Sequence, residues 1–343
     1  LVMPSFLIIE PEPLNGQKAG RGARGRNLEL FLKRYFGRRS VSMIGLEDLA
    51  GKRSYSVDHL FLGIPSSITK NDLMKVSFER LHLFDYGDHE KVIWGHSDEG
   101  LLRPLAKTYL KPWIQKSWGD EFKWGALPIR RSGFLYLSVK ASRFLQAREG
   151  QRNVDATFLG NPVVGWQETY GGELKYTRIH WLDEVASSGR HSLSGGFFMR
   201  GREAEQFRAN ASRILSPLFL NKGRVNFLSY FSLMAHAKTA LCPPGNALWS
   251  YRHYESIYAG ALPISSDFRE ADMLVPLPVD GMFHVGSGES VLPCLDEALK
   301  ARKDNPNLAN SNLESVEQYL TNGLYDRRKR LLLERFMMQI ERS

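Results

Sequence analysis

Cysteine is nearly absent: Cys242 and Cys294 are the only two in 343 residues. That count excludes a disulfide framework, and no metal-ligand spacing is present. Sparse cysteine favours a reducing compartment. Long apolar runs are also missing, since none approaches the roughly 18 residues of a membrane span. The opening Leu1-Val-Met-Pro-Ser-Phe-Leu-Ile-Ile9 is too short for a span and lacks a basic flank, so it does not read as a signal peptide. The chain begins with Leu1 rather than Met, which leaves an upstream anchor open. Internal repeats are lacking, and the one low-complexity stretch is the Gly/Arg-rich segment 16–26. That segment matches neither the Walker nor the dinucleotide spacing. No stacking-aromatic module of the RNP type occurs.

What the chain has is surplus positive charge: 46 Lys and Arg against 37 Asp and Glu, a net +9. This suits an anionic partner: nucleotide sugar, acidic glycan, anionic membrane surface or nucleic acid. Hydrophobic residues at 43% and charged residues at 24% are ordinary for a globular protein. The length suggests two domains of about 100–200 residues. One sequon, Asn210-Ala-Ser212, is usable only in a secretory lumen. The balance favours the cytoplasm, with peripheral contact to an anionic membrane allowed. A Golgi lumen is the alternative if an anchor precedes the chain.

Strand and helix patterns alternate in the first half. Met3–Ile9 reads as a buried strand and Leu28–Phe36 as a helix with apolar positions 28, 31, 32 and 35. The Gly/Arg segment between them is a solvated basic loop, a flap over an acidic acceptor, or an RNA-binding arm. Val57–Gly63 reads as a strand, Asn71–Leu81 as a helix capped by Thr69, and Lys91–Trp94 as a strand. Leu101–Trp113 reads as a helix and Phe134–Val139 as a strand. Such alternation predicts a parallel α/β sheet, whose ligands gather at the carboxyl ends of the strands. By that rule His96, Asp98 and Glu99, directly after Lys91–Trp94, are candidate bases for a hydroxyl proton. The alternative is a solvated turn in which Ser97 or Asp98 caps the next helix. Asp85 and Asp88 read as loop residues with no partner.

The polar stretch Ser142–Asn153 marks the domain boundary, and Val154–Gly160 opens a second sheet. Trp181–Ser188 reads as a short helix. Phe197–Arg200 reads as a strand that places Arg200 for phosphate or for solvent. Glu203–Leu215 and Asn226–His236 read as helices, the latter with Phe227, Tyr230, Phe231 and Met234 as core packing. Helices are also expected over Ser290–Ala301, Asn312–Leu320 and Asp326–Ile340, with a strand at Met282–Val285.

Residues 240–267 read as strand, Pro243-Pro244-Gly245 turn, helix from about Ala247 or Ser250 to Ala259, then strand. Tyr251, Tyr254, Ile257 and Tyr258 form a core stripe. Arg252 and Glu255, three apart, share another face close to the helix N-terminus, where free N–H groups favour an anion. The competing account is a surface ion pair of little worth.

Pro244-Gly245, Ser250, Arg252-x-x-Glu255 and Gly260-Ala-Leu-Pro263-Ile264 resemble the donor-binding core of exostosin-like glycosyltransferases. About 30 residues match strongly and 110 loosely. Ile264 stands where Val is commoner. The resemblance implies that Arg252 contacts a donor diphosphate and Glu255 a ribose. Val154–Gly160 is similar to the strand that opens the family's donor domain, which puts Gly160 near the phosphates. The fold implied is GT-B, two Rossmann-like α/β domains facing across a cleft. Residues 1–150 would form the acceptor domain, 151–325 the donor domain, and 326–343 a helix crossing back to the first. The activity implied is inverting transfer from a UDP- or GDP-linked sugar to a glycan hydroxyl, with an acidic glycan suited to the charge. No metal or other cofactor is expected, because no Asp-x-Asp triplet stands at a strand end. The donor-site set is thus Gly245, Ser250, Arg252, Glu255, Gly160 and Arg200. A nucleic-acid-binding protein and a non-catalytic scaffold are the other classes, and no nucleic-acid partner is expected.

Overall fold

The computed structural model describes residues 4–10, 25–51, 54–87, 92, 94, 99–119, 122–128, 139–143, 152–162, 177–198, 219–220, 225–245, 248–267 and 269–341. They form two parallel six-stranded sheets. The first is built from β1 (Phe6–Ile9), β2 (Val41–Ile44), β3 (Tyr55–Gly63), β4 (Val76–Phe84), β5 (Ala106–Lys111) and β7 (Trp124–Ala126), in the order β2-β1-β3-β4-β5-β7. The short strand β6 (Ile114–Gln115) lies outside it. The second sheet contains β8 (Val154–Gly160), β9 (Leu193–Phe198), β10 (Phe219–Leu220), β11 (Ala237–Cys242), β12 (Leu262–Ser266) and β14 (Phe283–Val285), in the order β10-β9-β8-β11-β12-β14. The chain winds outward from β8 in one direction, then resumes beside it at β11 in the other. The second sheet therefore has a topological switch point between β8 and β11, where open α/β sheets bind ligands. This is the Rossmann-like pair of α/β sheets expected from the sequence.

The described helices are α1 (Arg26–Phe36), α2 (Lys70–Leu73), α3 (Glu99–Leu102), α4 (Thr177–Ser188), α5 (Phe227–Ala235), α6 (Tyr251–Tyr258), α7 (Val291–Asp304), α8 (Leu308–Glu317) and α9 (Arg330–Glu341). None of them is long and apolar enough to cross a membrane. One continuous apolar cluster runs from the first sheet to the second, joining Phe6, Phe31, Phe61 and Trp113 to Phe231, Tyr254 and Phe336. Separate clusters cover the other face of each sheet. Two further ties cross between the sheets. β6 pairs antiparallel with β13 (Ala271–Asp272), and Arg335 on α9 donates to Leu274 O at 3.2 Å and to Asp272 Oδ1 at 3.0 Å. As expected, α9 returns to the first domain. Phe336 packs edge-on to Phe31, Arg80 donates to Glu341 O at 2.8 Å, and Ala126 N donates to Gln339 Oε1.

The expected secondary structure fails in the middle of the first sheet. The helix anticipated over 71–81 stops after one turn at Leu73, and Val76–Phe84 is β4. Leu73, Val76 and Leu81 sit at helical spacing, but exposure alternates with period two over 76–80 before the fully buried run 81–84, the mark of a strand entering a core. The helix anticipated over 101–113 ends at Leu102, because Pro104 disfavours helical backbone in the residue before it; Ala106–Lys111 is β5. No strand occupies Val92 or Trp94. Most of the strand anticipated over 134–139 lies outside the described residues, and Val139 opens a helical stretch, 139–143. β7 was not anticipated.

Two polar groups in the first sheet carry unusual electrostatics. Asp85, at the carboxyl end of β4, is not an unpartnered loop residue. It pairs with Lys111 of β5 at 3.1 Å, with side chains 2% and 0% exposed, and also accepts from Gly87 N at 2.6 Å. Across β3, β4 and β5, His59 Nδ1 lies 3.0 Å from His82 Nε2, and His82 Nδ1 lies 2.7 Å from Thr108 Oγ1. Burial lowers the His59 pKa to about 4 and that of His82 to about 3.

Lys111→Met leaves the Asp85 carboxylate buried without its cation, and is expected to cost about 3–5 kcal/mol by urea denaturation. The histidines give a pH dependence with a defined sign. Unfolded histidines take up protons below about pH 6.5 while His59 and His82 resist, so stability falls as pH drops from 6.5 toward 4. The loss is expected at up to about 1.4 kcal/mol per pH unit for each group. The urea midpoint measured at pH 7 and pH 5 checks it, and His59→Gln should flatten the slope.

Candidate functional site

An open cleft of about 400 Å³ lies at the switch point of the second sheet. Leu159 and Gly160 at the end of β8 form one wall, Tyr230 of α5 another, and Ser250, Arg252 and Glu255 around the start of α6 the third. All its described lining residues belong to the second sheet, its helices and the segments that join them.

Helix α6 begins at Tyr251, not at Ala247, so Gly245 stands five residues before its N-cap, Ser250. The first turn is held by His253. Its Nδ1 lies 2.8 Å from Ser250 O and 3.0 Å from Ser250 N, and its Nε2 lies 2.8 Å from Ser265 Oγ. Burial lowers the His253 pKa to about 4, so the ring is neutral at physiological pH. The Ser250 hydroxyl is buried with no hydrogen-bond partner among the described residues. Tyr254, Ile257 and Tyr258 are buried, as the expected stripe requires.

Arg252 leaves α6 toward the end of β8. Its Nη2 donates to Leu159 O at 2.9 Å, and its guanidinium lies 4.5 Å from the centre of the Phe158 ring. Gly160 makes this approach possible, since a Cβ there would stand 2.9 Å from Arg252 Nη2. Glu255 is 6% exposed. Burial raises its pKa, against the opposing pull of Tyr230 and Arg252. The two residues do not form the surface ion pair considered above. Tyr230 Oη lies between them, donating to Glu255 Oε2 at 2.8 Å and accepting from Arg252 Nε at 3.3 Å.

A second cation, Arg178, was missed by sequence reasoning. It is the second residue of α4, the first described helix after β8, and it lines the same cleft. Nε donates to Pro244 O at 3.0 Å and Nη1 to Asn161 O at 3.0 Å. These bonds fasten the Pro-Pro-Gly turn to the end of β8. Burial, followed by the neighbouring Arg252, lowers the Arg178 pKa to about 9. Two guanidinium groups thus repel one another within one cleft, an arrangement that favours an anion between them. The only sequence signal for Arg178 was an Arg at a helix start after a Gly-ended strand.

Other expected residues are placed differently. Gly245 is partly buried and, like its neighbour Pro244, does not line the cleft; the turn meets the site only through the Pro244 carbonyl that accepts from Arg178. Arg200, His96 and Asp98 lie outside the described residues. Glu99 opens α3, is 46% exposed and pairs with Arg103 at 2.9 Å. The strand meant to present these three, Lys91–Trp94, is not formed at Val92 or Trp94. Cys242 is buried beneath the cleft, and its thiol is pushed up to about 12 by burial.

No protein-family model matches the sequence, and no curated protein does. Among solved structures the chain is similar to a glycosyltransferase from Rickettsia africae ESF-5, with 12% identity, a TM-score of 0.49 and 99% of each chain covered. It is also similar to a UDP-forming α,α-trehalose-phosphate synthase from Burkholderia xenovorans, with 14% identity, a TM-score of 0.47, and 83% of this chain and 74% of that one covered. A third is an α-glucosyltransferase in complex with UDP and a 13-mer DNA containing an HMU base, with 11% identity, a TM-score of 0.49, and 98% and 100% covered. The architecture described above rests on this chain's own strand order rather than on these likenesses.

Gly160→Ala drives a methyl group against Arg252 Nη2 and the Phe158 ring. It is expected to destabilise the protein by about 1–3 kcal/mol, the usual cost of overpacking, measured by denaturant titration.

Proposed function

We propose that the chain is a glycosyltransferase that moves a sugar from a nucleotide-diphosphate donor to a hydroxyl of a glycan acceptor. The observation that carries this reading is the pair of mutually repelling guanidiniums, Arg178 and Arg252, set beside the N-terminus of α6 in an open cleft at a switch point. A diphosphate supplies the charge such a cleft lacks, and the orphan Ser250 hydroxyl adds a donor for it. Glu255 is the acceptor for ribose hydroxyls. Phe227 and Tyr251, which also line the cleft, offer ring faces to a base. The motif around Arg252 and Glu255 supports a place in the exostosin-like group, inverting chemistry and a UDP- or GDP-linked donor. In this reading residues 1–150 carry the acceptor and 151–325 the donor.

In an inverting transfer, a base takes the acceptor hydroxyl proton and the oxygen attacks the anomeric carbon from the face opposite the diphosphate. The bond to the diphosphate breaks, and the bonding pair leaves with it. Arg178, Arg252 and the free N–H groups of α6 stabilise that growing charge, the step in which fixed positive groups contribute most. His96, Asp98 and Glu99 remain the candidate bases, and the Arg103 pair on Glu99 favours the first two.

A panel of UDP- and GDP-sugars, assayed for transfer and for hydrolysis, tests the reading. Arg252→Ala and Arg178→Ala are each expected to lower turnover by about 100- to 1000-fold while the far-ultraviolet circular dichroism spectrum is kept. Undiminished turnover in either variant would sink the assignment of the donor site.

A further inference from the structure

Tyr230 lies on the helical stripe that sequence alone assigns to core packing, yet its hydroxyl does not end in apolar surroundings. Opposite charges three residues apart on a helix are near neighbours. In a poorly hydrated site their attraction is strong, so the default for Arg252 and Glu255 is a direct ion pair. The structure holds a different arrangement, in which the phenol of Tyr230 is interposed between them. We propose that Tyr230 is a positioning residue: its hydroxyl is a spacer that keeps Arg252 and Glu255 from closing on each other, so that both stay directed into the cleft. The proposal rests on the reading of this cleft as a diphosphate site.

The hydrogen-bond directions fit a spacer. The O–H donates to Glu255 Oε2, and its oxygen lone pair accepts from Arg252 Nε, so one small group satisfies a carboxylate and a cation at once. Arg252 Nη2 is held by Leu159 O. Among the described residues, Nη1 of the arginine and the second oxygen of the carboxylate take no protein partner and are left for a ligand. Burial and the adjacent Glu255 push the Tyr230 pKa well above its ordinary value, so the proton that makes it a donor is retained. The phenol is presented by α5, an element distinct from the helix that carries the two charges. Its position is therefore set by the packing of Phe231 and Met234, both buried on the same helix, and not by the charges it separates.

Removing the hydroxyl should let the carboxylate capture the arginine. Titration calorimetry on the full chain tests this with two probes, inorganic pyrophosphate and UDP, and three proteins: wild type, Tyr230→Phe, and Tyr230→Phe/Glu255→Gln. Tyr230→Phe is expected to bind pyrophosphate about tenfold more weakly, because the new ion pair must open first. Adding Glu255→Gln removes the capturing charge and is expected to restore most of the loss. A role confined to packing would not be repaired by a change at Glu255. Pyrophosphate affinity equal to wild type in Tyr230→Phe, or a double variant no tighter than the single one, overturns the spacer. A wild type that binds pyrophosphate but not UDP removes the nucleotide-sugar reading, and the pyrophosphate series still decides the spacer. A wild type that binds neither overturns both.

Discussion

The reach of Arg252 across the switch point to the carbonyl that ends β8 is the contact on which the site depends. It requires a parallel strand that stops at Leu159–Gly160, a residue without a Cβ at the next position, and a helix that starts just beyond β11. The guanidinium is a planar fork, so one edge binds the protein while another stays turned to the cleft. Arg178 repeats the device from α4, with its carbonyls on Pro244 and Asn161. Both cations are thus anchored by main-chain oxygens, which orient them without cancelling their charge. Such a site is poised for an anion before one arrives, and that preorganisation makes electrostatic stabilisation effective.

The remainder of the fold supports this arrangement indirectly. The second sheet rests on a core continuous with that of the first, and the two are tied by the β6–β13 pair and by Arg335. Helix α9 closes the apolar face of the first sheet with Phe336, beside the row formed by His59, His82 and Thr108. The buried Asp85–Lys111 pair joins the carboxyl ends of β4 and β5, the edge where a parallel sheet presents its ligand-binding loops. Polar groups so deeply placed contribute little net stability when paired, but each is costly to leave alone.

How much was legible in advance differs between the halves. In the second half, strand limits are marked by turn residues: Gly160, Pro243-Pro244-Gly245 and Gly260. Gly260 has φ 73°, the left-handed conformation that ends α6. Hence β8, β11, α6 and β12 were found close to their true bounds. In the first half, Leu73, Val76 and Leu81 fit two periods at once, and the helical one was chosen. The helical reading hides β4, puts the expected strand at 91–94 ahead of His96, Asp98 and Glu99, and makes Asp85 a loop residue.

The sequence by itself determined the alternating α/β class, the second Rossmann-like sheet, the presence of a C-terminal helix and the nearness of Arg252 and Glu255 on one helix. These follow from local rules of periodicity, capping and turn chemistry, which act over a few residues. Only the tertiary structure decided that Arg178 joins Arg252, that Gly160 makes room for it, and that Tyr230 stands between cation and carboxylate. Those contacts join residues 22 to 93 positions apart. Their partners are chosen by strand order and helix packing, and no local pattern in the chain records either. Local spacing leaves Arg252 and Glu255 open to both a donor site and a helical ion pair; the phenol that separates them comes from another helix.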